Sequence, residues 1–131
     1  MPNIIRAQGV VDNGSKYAPN VPKNTSREVK VARLADVRFD ICVVFPNGSP
    51  VLVADKFTLG VRDPSFCSGP ALEKTGVFSA GLATVSVSGL ELSRFCSGRL
   101  AWDAWLTIDS EHYQVVALSV LRLLPNVATN P

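Results

Sequence analysis

The chain has 131 residues, enough for one domain that buries about two thirds of its unfolded surface and needs no metal ion or disulfide bond to fold. Hydrophobic residues make up 47% and charged residues 18%, a composition that excludes a disordered protein. No apolar run is long enough to span a membrane and no signal peptide is present, so we expect a protein made and kept in a cytoplasm.

Residues 1–27 are predicted to form an extended N-terminal arm. Three prolines and many turn-forming residues favour an irregular chain here, which either lies on a neighbour or frays. Residues 1–33 carry six basic and two acidic groups, a charge of +4, so residues 34–131 sum to −2 within the net charge of +2. A basic arm on a slightly acidic body indicates docking to an acidic protein surface. The candidate contact residues are Arg6, Lys16, Tyr17, Lys23 and Arg27.

Nucleic acid is the weaker option as a partner of this arm. Single-strand binding surfaces usually place several aromatic side chains among the charges, and here only Tyr17 does so.

Alternation of apolar and polar residues begins at residue 28 and predicts a series of strands. The run from 37 to 45 is the clearest, and Asn47-Gly48 after it is a strong hairpin signal. Returning segments are predicted at 51–53 and 57–62, and shorter strands at 73–78 and 82–87. Ser88 and Glu91 then have the spacing of a capping box and predict one helical turn.

Residues 98–124 form the strongest predicted hairpin. Leu100 and Trp102 fall on one side of its first strand, which we expect to face the core, and Asp103 and Trp105 fall on the other. Trp105 is predicted to be a protein contact, a sugar-stacking platform or a side chain covered by the arm or the opposite layer. The second strand is apolar on both faces, so Leu121, Leu123 and their neighbours are predicted to be covered by the arm or by another subunit.

These elements predict an all-β fold, a single antiparallel β-sandwich of immunoglobulin-like size with seven or eight strands. The sandwich is expected to span residues 28–125, after the extended N-terminal arm and before a C-terminal tail at 126–131. Cys67 and Cys96 recur in the same tetrapeptide and are expected either to pack separately or to form a crosslink. An antibody-type bridge from Cys42 is not expected, because Cys42 falls on the polar side of its strand.

No pattern of catalytic residues emerges from the sequence. It contains one histidine, His112, in a predicted loop, and it has no phosphate-binding or dinucleotide-binding glycine motif and no zinc-binding spacing. We therefore expect no enzyme, no cofactor and no metal ion.

The segment Trp102-Asp103-Ala104-Trp105-Leu106-Thr107, with the later Gln114-Val115-Val116 and the closing Pro125-Asn126-Val127, resembles the N-terminal β-sandwich of the baseplate upper proteins of tailed bacteriophages. Val43 to Pro50 and Phe57 to Arg62 resemble the earlier half of that domain. The resemblance implies a non-enzymatic structural protein of the virion, made in the host cytoplasm, whose partners are other virion proteins and further copies of itself on the particle.

Capsid decoration is the first functional hypothesis from the sequence. Family members usually continue into a stalk, whereas this chain stops at Pro131 and carries a basic arm suited to reaching across neighbouring subunits. An accessory, or cement, protein docked on the capsid is therefore expected. The alternatives are a tail or baseplate adaptor of the same fold and a carbohydrate-binding module that uses Trp105.

Overall fold

The computed structural model describes residues 3–11, 29–32, 34–64, 71–95 and 98–124. These residues form nine strands and one short helix, in the order β1 (Asn3–Val10), β2 (Val29–Ala32), β3 (Val37–Val44), β4 (Lys56–Arg62), β5 (Leu72–Thr75), β6 (Val77–Ser79), β7 (Leu82–Val87), α1 (Gly89–Leu92), β8 (Arg99–Ile108) and β9 (Glu111–Leu124). None of the described segments forms a helix with the length and apolar character needed to cross a bilayer.

The strands build two sheets, with the orders β1-β3-β7-β6 and β2-β9-β8-β4-β5. The predicted all-β sandwich is confirmed, but its sheets are mixed rather than purely antiparallel. β1 pairs in parallel with β3, and β2 pairs in parallel with β9. A tight hairpin imposes an antiparallel pairing, and neither of these strands is joined to its partner by one. The alternation of apolar and polar residues along a strand does not indicate whether the strand pairs in parallel or antiparallel with its neighbour.

Strand β1 corrects the predicted N-terminal arm over residues 3–11. Ile5 is only 3% exposed and Val11 is also buried, so both belong to the core. Hydrogen bonds close the pairing at both ends, from the Asn3 N–H at the start of β1 to the Asp36 carbonyl and from the Val11 N–H just after β1 to the Val44 carbonyl, each 2.9 Å. The sandwich thus begins well before residue 28. Residues 12–28, the rest of the predicted arm, lie outside the described residues.

The predicted hairpin signal at Asn47-Gly48 does mark a turn. Gly48 has a φ of +91°, a conformation that favours glycine, and Phe45 N–H donates to the Ser49 carbonyl over 2.8 Å. The predicted returning strand at 51–53 is reduced to an isolated bridge at Pro50, whose ring nitrogen has no proton to donate. Val51 is nevertheless buried and donates its N–H to the Val43 carbonyl over 3.0 Å.

Gly76 divides the strand predicted at 73–78 into β5 and β6, which belong to different sheets. A Cβ atom at this position would lie 2.7 Å from the Thr84 carbonyl oxygen, too close for any real side chain. Glycine therefore lets the chain pass from the second sheet to the first while lying against β7.

Helix α1 has the predicted capping box. Ser88 Oγ accepts the N–H of Glu91 over 3.1 Å, and Glu91 Oε1 accepts the N–H of Ser88 over 3.0 Å. Lys74 from β5 adds an ion pair of 2.9 Å to Glu91 Oε2. These contacts fix one turn of helix that directs Leu92 into the core.

Replacing Glu91 by Gln is expected to lower the free energy of unfolding by about 0.5–1 kcal/mol at pH 7. The Ser88 backbone N–H, and then Lys74, lower the pKa of Glu91 in the folded protein. This stabilisation is complete above the ordinary glutamate pKa and is lost as the pH falls through the lowered value. Urea unfolding of both proteins from pH 7 to about pH 3 should show the difference shrinking. A difference that stays constant over this range would contradict the assignment.

The core lies between the two sheets and centres on Trp102, which is fully buried. Its ring lies 4.9 Å from that of Phe39, so the largest buried side chain of the second sheet packs against the first sheet. Phe57, Leu59 and Leu106 are also fully buried. One side of β4 and of β8 is thereby committed to the core, and the other side is left for the site described next.

Candidate functional site

The outer face of the second sheet carries a polar groove, a term used here for the open cavity over β4 and β8. Its volume is about 540 Å³. The alternation along the two strands places there Lys56, Thr58, Gly60 and Arg62 from β4, and Asp103, Trp105 and Thr107 from β8. The remaining lining residues are Val61, Ala71, Glu73 and His112.

Asp103 is the central charged group of the groove and is only 8% exposed. Its Oδ2 accepts two hydrogen bonds of 3.1 Å, one from Trp105 Nε1 and one from Gln114 Nε2. The Arg62 guanidinium lies 3.9 Å from the same oxygen. The two hydrogen bonds and the nearby positive charge compensate for the loss of water around a carboxylate on a sheet surface, and the hydrogen bonds hold it in one orientation.

Gly60 lies directly opposite Asp103 in the pairing of β4 with β8. A Cβ at position 60 would lie 3.0 Å from Asp103 Oδ1, a contact tighter than nearly all real Cβ contacts. The missing side chain therefore gives the carboxylate room to lie over the sheet, with Oδ1 directed across β4. Glycine weakens a strand, and its presence here is explained by this close approach.

Trp105 forms a half-buried wall of the groove. Its register neighbours are Thr58 on β4 and Gln114 on β9. Because the indole N–H is bonded to Asp103, the part of the ring left for a ligand is its apolar face. The predicted two-sided arrangement of the tryptophans is confirmed, with Trp102 in the core and Trp105 outside it.

One imidazole and one hydroxyl group of the groove are hydrogen-bonded to each other. His112 is exposed in the β8–β9 hairpin, where its Nδ1 lies 2.9 Å from Thr107 Oγ1. Within the part of the chain that the structure describes, no cluster of three or more His, Cys, Asp or Glu is placed to hold a metal ion. What the groove offers is a set of fixed hydrogen-bonding groups around an aromatic face.

The structure brings together only part of the predicted interaction set. Asp103 and Trp105 are in contact, whereas Arg6 is exposed on the outer face of the first sheet, away from the groove. Lys16, Tyr17, Lys23 and Arg27 lie outside the described residues, as do Cys67 and Cys96.

Leu121 and Leu123 are corrected from surface candidates to core residues, since both are buried between the sheets. The exposed leucines of β9 are Leu118, at 51%, and Leu124, at 37%. The sequence correctly indicates that both faces of this strand are apolar. The face predicted to contact a partner is, however, the one that packs in the core.

Three residues that shape the groove were not predicted from the sequence, namely Gly60, Arg62 and Gln114. A signal existed for Gly60, because an isolated glycine within a strand often marks a close approach. Gln114 is the one amide side chain in β9. Neither signal indicates that both residues contact Asp103, because these contacts depend on the register of β8 against β4 and β9.

Comparison with known proteins shows a likeness in structure but not in sequence. No family model and no curated protein matches the chain. Among solved structures, the N-terminal domain of phage TP901-1 ORF48 is similar, with a TM-score of 0.50 and 12% sequence identity. The match covers 94% of this chain and 98% of that domain. The resemblance predicted from the sequence is therefore confirmed at the level of the fold.

Proposed function

We propose that the protein is a non-enzymatic structural component of a tailed-phage particle, and specifically a module of its tail or baseplate. The observation that carries this proposal is the likeness in fold to a phage protein domain, which extends over 94% of the chain rather than over a few strands. The polar groove adds support, because hydrogen bonds already fix its Asp103 carboxylate and Trp105 indole in place, as suits a recognition surface.

The tail or baseplate role is favoured here over capsid decoration because of β1. The decoration hypothesis depended on a free basic arm that reaches across neighbouring subunits. Residues 3–10 are instead paired along their whole length with β3, so this part of the chain is held within its own sheet. That leaves the alternative adaptor role, with other virion proteins and further copies of this chain as the proposed partners and the virion as the proposed location.

Apolar side chains on the surface could supply contacts for such an assembly. Leu118 and Leu124 are exposed on the outer face of β9, and Leu34 and Leu90 are exposed near helix α1. Exposed leucines in groups are more typical of contact surfaces than of a protein that stays alone in solution. Arg6, Lys16, Tyr17, Lys23 and Arg27 remain proposed contact residues of the N-terminal segment.

A nonsense codon in the gene, in a phage that carries it, tests the proposal. Without the protein, we expect DNA-filled heads to accumulate beside missing or incomplete tails, and a suppressor host should restore infectivity. Complete tails on heads that lose DNA on mild heating would instead support capsid decoration. Normal, infectious particles that lack the protein would overturn a structural role in the virion.

A further inference from the structure

We propose that the polar groove binds a neutral carbohydrate, with one sugar ring stacked on Trp105 and its hydroxyl groups bound by Asp103 and Arg62. This inference rests on the side chains of the groove alone and does not depend on the proposed place of the protein in a phage particle. A structural role in a particle does not require a ligand in this groove, so the proposal adds a separate binding function.

The state of Trp105 is the first reason. Its N–H is already bonded to Asp103 Oδ2 at 3.1 Å, which fixes the plane of the ring and leaves an apolar face toward the groove. The C–H side of a pyranose ring is apolar and flat, and it matches such a face. Thr58 and Thr107 flank the tryptophan along the same surface and can hydrogen-bond to hydroxyl groups at the ring edge.

The second reason is the way Asp103 is held. Gln114 and Trp105 donate to Oδ2, while Oδ1 lies over Gly60, which has no side chain of its own. The guanidinium of Arg62 lies 3.9 Å from Oδ2, and 54% of the Arg62 side chain is exposed, so a ligand in the groove can reach it. A carboxylate acceptor next to a guanidinium donor fits two adjacent hydroxyl groups, each of which both donates and accepts.

Charge and size favour a neutral ligand over a polyanion. The fixed charges of the lining residues balance, with Lys56 and Arg62 against Glu73 and Asp103. A nucleic acid or a sulfated polymer would meet the Asp103 carboxylate at the centre of the groove without a surplus of positive charge. The volume of about 540 Å³ lies within the range of small-molecule sites, about 300–1,000 Å³, and accommodates a short oligosaccharide.

The test uses the full chain on an array of neutral and sulfated glycans, followed by titration calorimetry with the best neutral ligand. We expect binding of a neutral glycan, weakened about tenfold or more in Trp105→Ala and less in Trp105→Phe. Phe45→Ala serves as the matched control, because it removes an exposed aromatic ring from the turn after β3, outside the groove, and it should bind like the wild type.

A second measurement uses only the wild-type protein, so it does not depend on whether a variant folds. In amide NMR spectra of the wild-type protein, the glycan should shift the signals of Thr58, Gly60 and the Trp105 indole, and leave those of β6 and β7 in place. Absence of binding to any neutral glycan, equal binding by Trp105→Ala and wild type, or shifts confined to other surfaces would each overturn the proposal. Binding of sulfated glycans alone would also overturn it, since charge rather than stacking would then select the ligand.

Discussion

Deleting residues 1–11 is expected to abolish cooperative folding of the sandwich. The deletion removes β1 with its eight register pairs to β3, and it takes Ile5 and Val11 out of the core. Burying two such side chains contributes roughly 1.5–3 kcal/mol each, and the exposed edge of β3 and the vacated volume add to the loss. Because a domain of this kind is stable by only about 5–15 kcal/mol, most of the fold is at risk. Circular dichroism during thermal unfolding measures the effect.

A matched pair of point variants in β1 tests whether the side-chain packing of β1, rather than the length of the chain, stabilises the sandwich. Ile5→Ala should cost about 2–5 kcal/mol, since Ile5 is buried against the second sheet. Ile4→Ala, one residue away on the outer face of β1, should cost under about 1 kcal/mol, because Ile4 is 37% exposed. A truncated protein that melts cooperatively near the wild-type temperature would show that residues 1–11 form a dispensable arm after all.

Trp102→Ala is expected to cost about 3–5 kcal/mol of the free energy of unfolding, the largest effect of any single substitution in β8. Trp102 is the largest side chain in the core and contacts Phe39 across the two sheets, so its loss leaves a cavity that neither sheet can close alone. Urea unfolding measures the change, and Trp105→Ala is the control, because it removes the same side chain from the opposite face of the same strand.

The orphaned indole nitrogen of Trp102 sharpens this prediction. Its Nε1 has no hydrogen-bond partner among the described residues, although it is buried. Trp102→Phe removes that unpaired donor together with part of the ring, so it should cost much less than Trp102→Ala, about 1–2 kcal/mol. Equal losses in the two variants would contradict this prediction, because they would show that the ring volume retained by phenylalanine contributes nothing to stability.

Periodicity and turn chemistry in the sequence predicted most of the fold. The alternation at 37–45 and 98–108, the turn at Asn47-Gly48 and the capping box at Ser88 are local features, and local features are what a sequence displays. The parallel pairing of β1 and the crossing of the chain at Gly76 are not local. Both depend on which distant strand lies alongside, and composition at the N-terminus indicated an irregular arm where residues 3–10 pair.

Of the residues that line the groove, the sequence predicted only one acidic and one aromatic side chain as contact residues. Asp103 and Trp105 could be placed on one outer face because they lie two residues apart in a strand. Their contact with Gln114 and the room provided by Gly60 come from the alignment of three strands, which includes register shifts in the pairing of β8 with β9 around Ala104. No spacing within a single strand encodes such an alignment.

Locating the protein on the particle tests its proposed role most directly. Cryo-electron microscopy of intact virions from a phage that carries the gene, with a tag on the protein to identify it, would show where the sandwich lies. We predict density for the two-sheet domain in the tail or baseplate, in several symmetry-related copies. Density on the capsid shell, or complete absence from purified particles, would contradict the tail role that we propose.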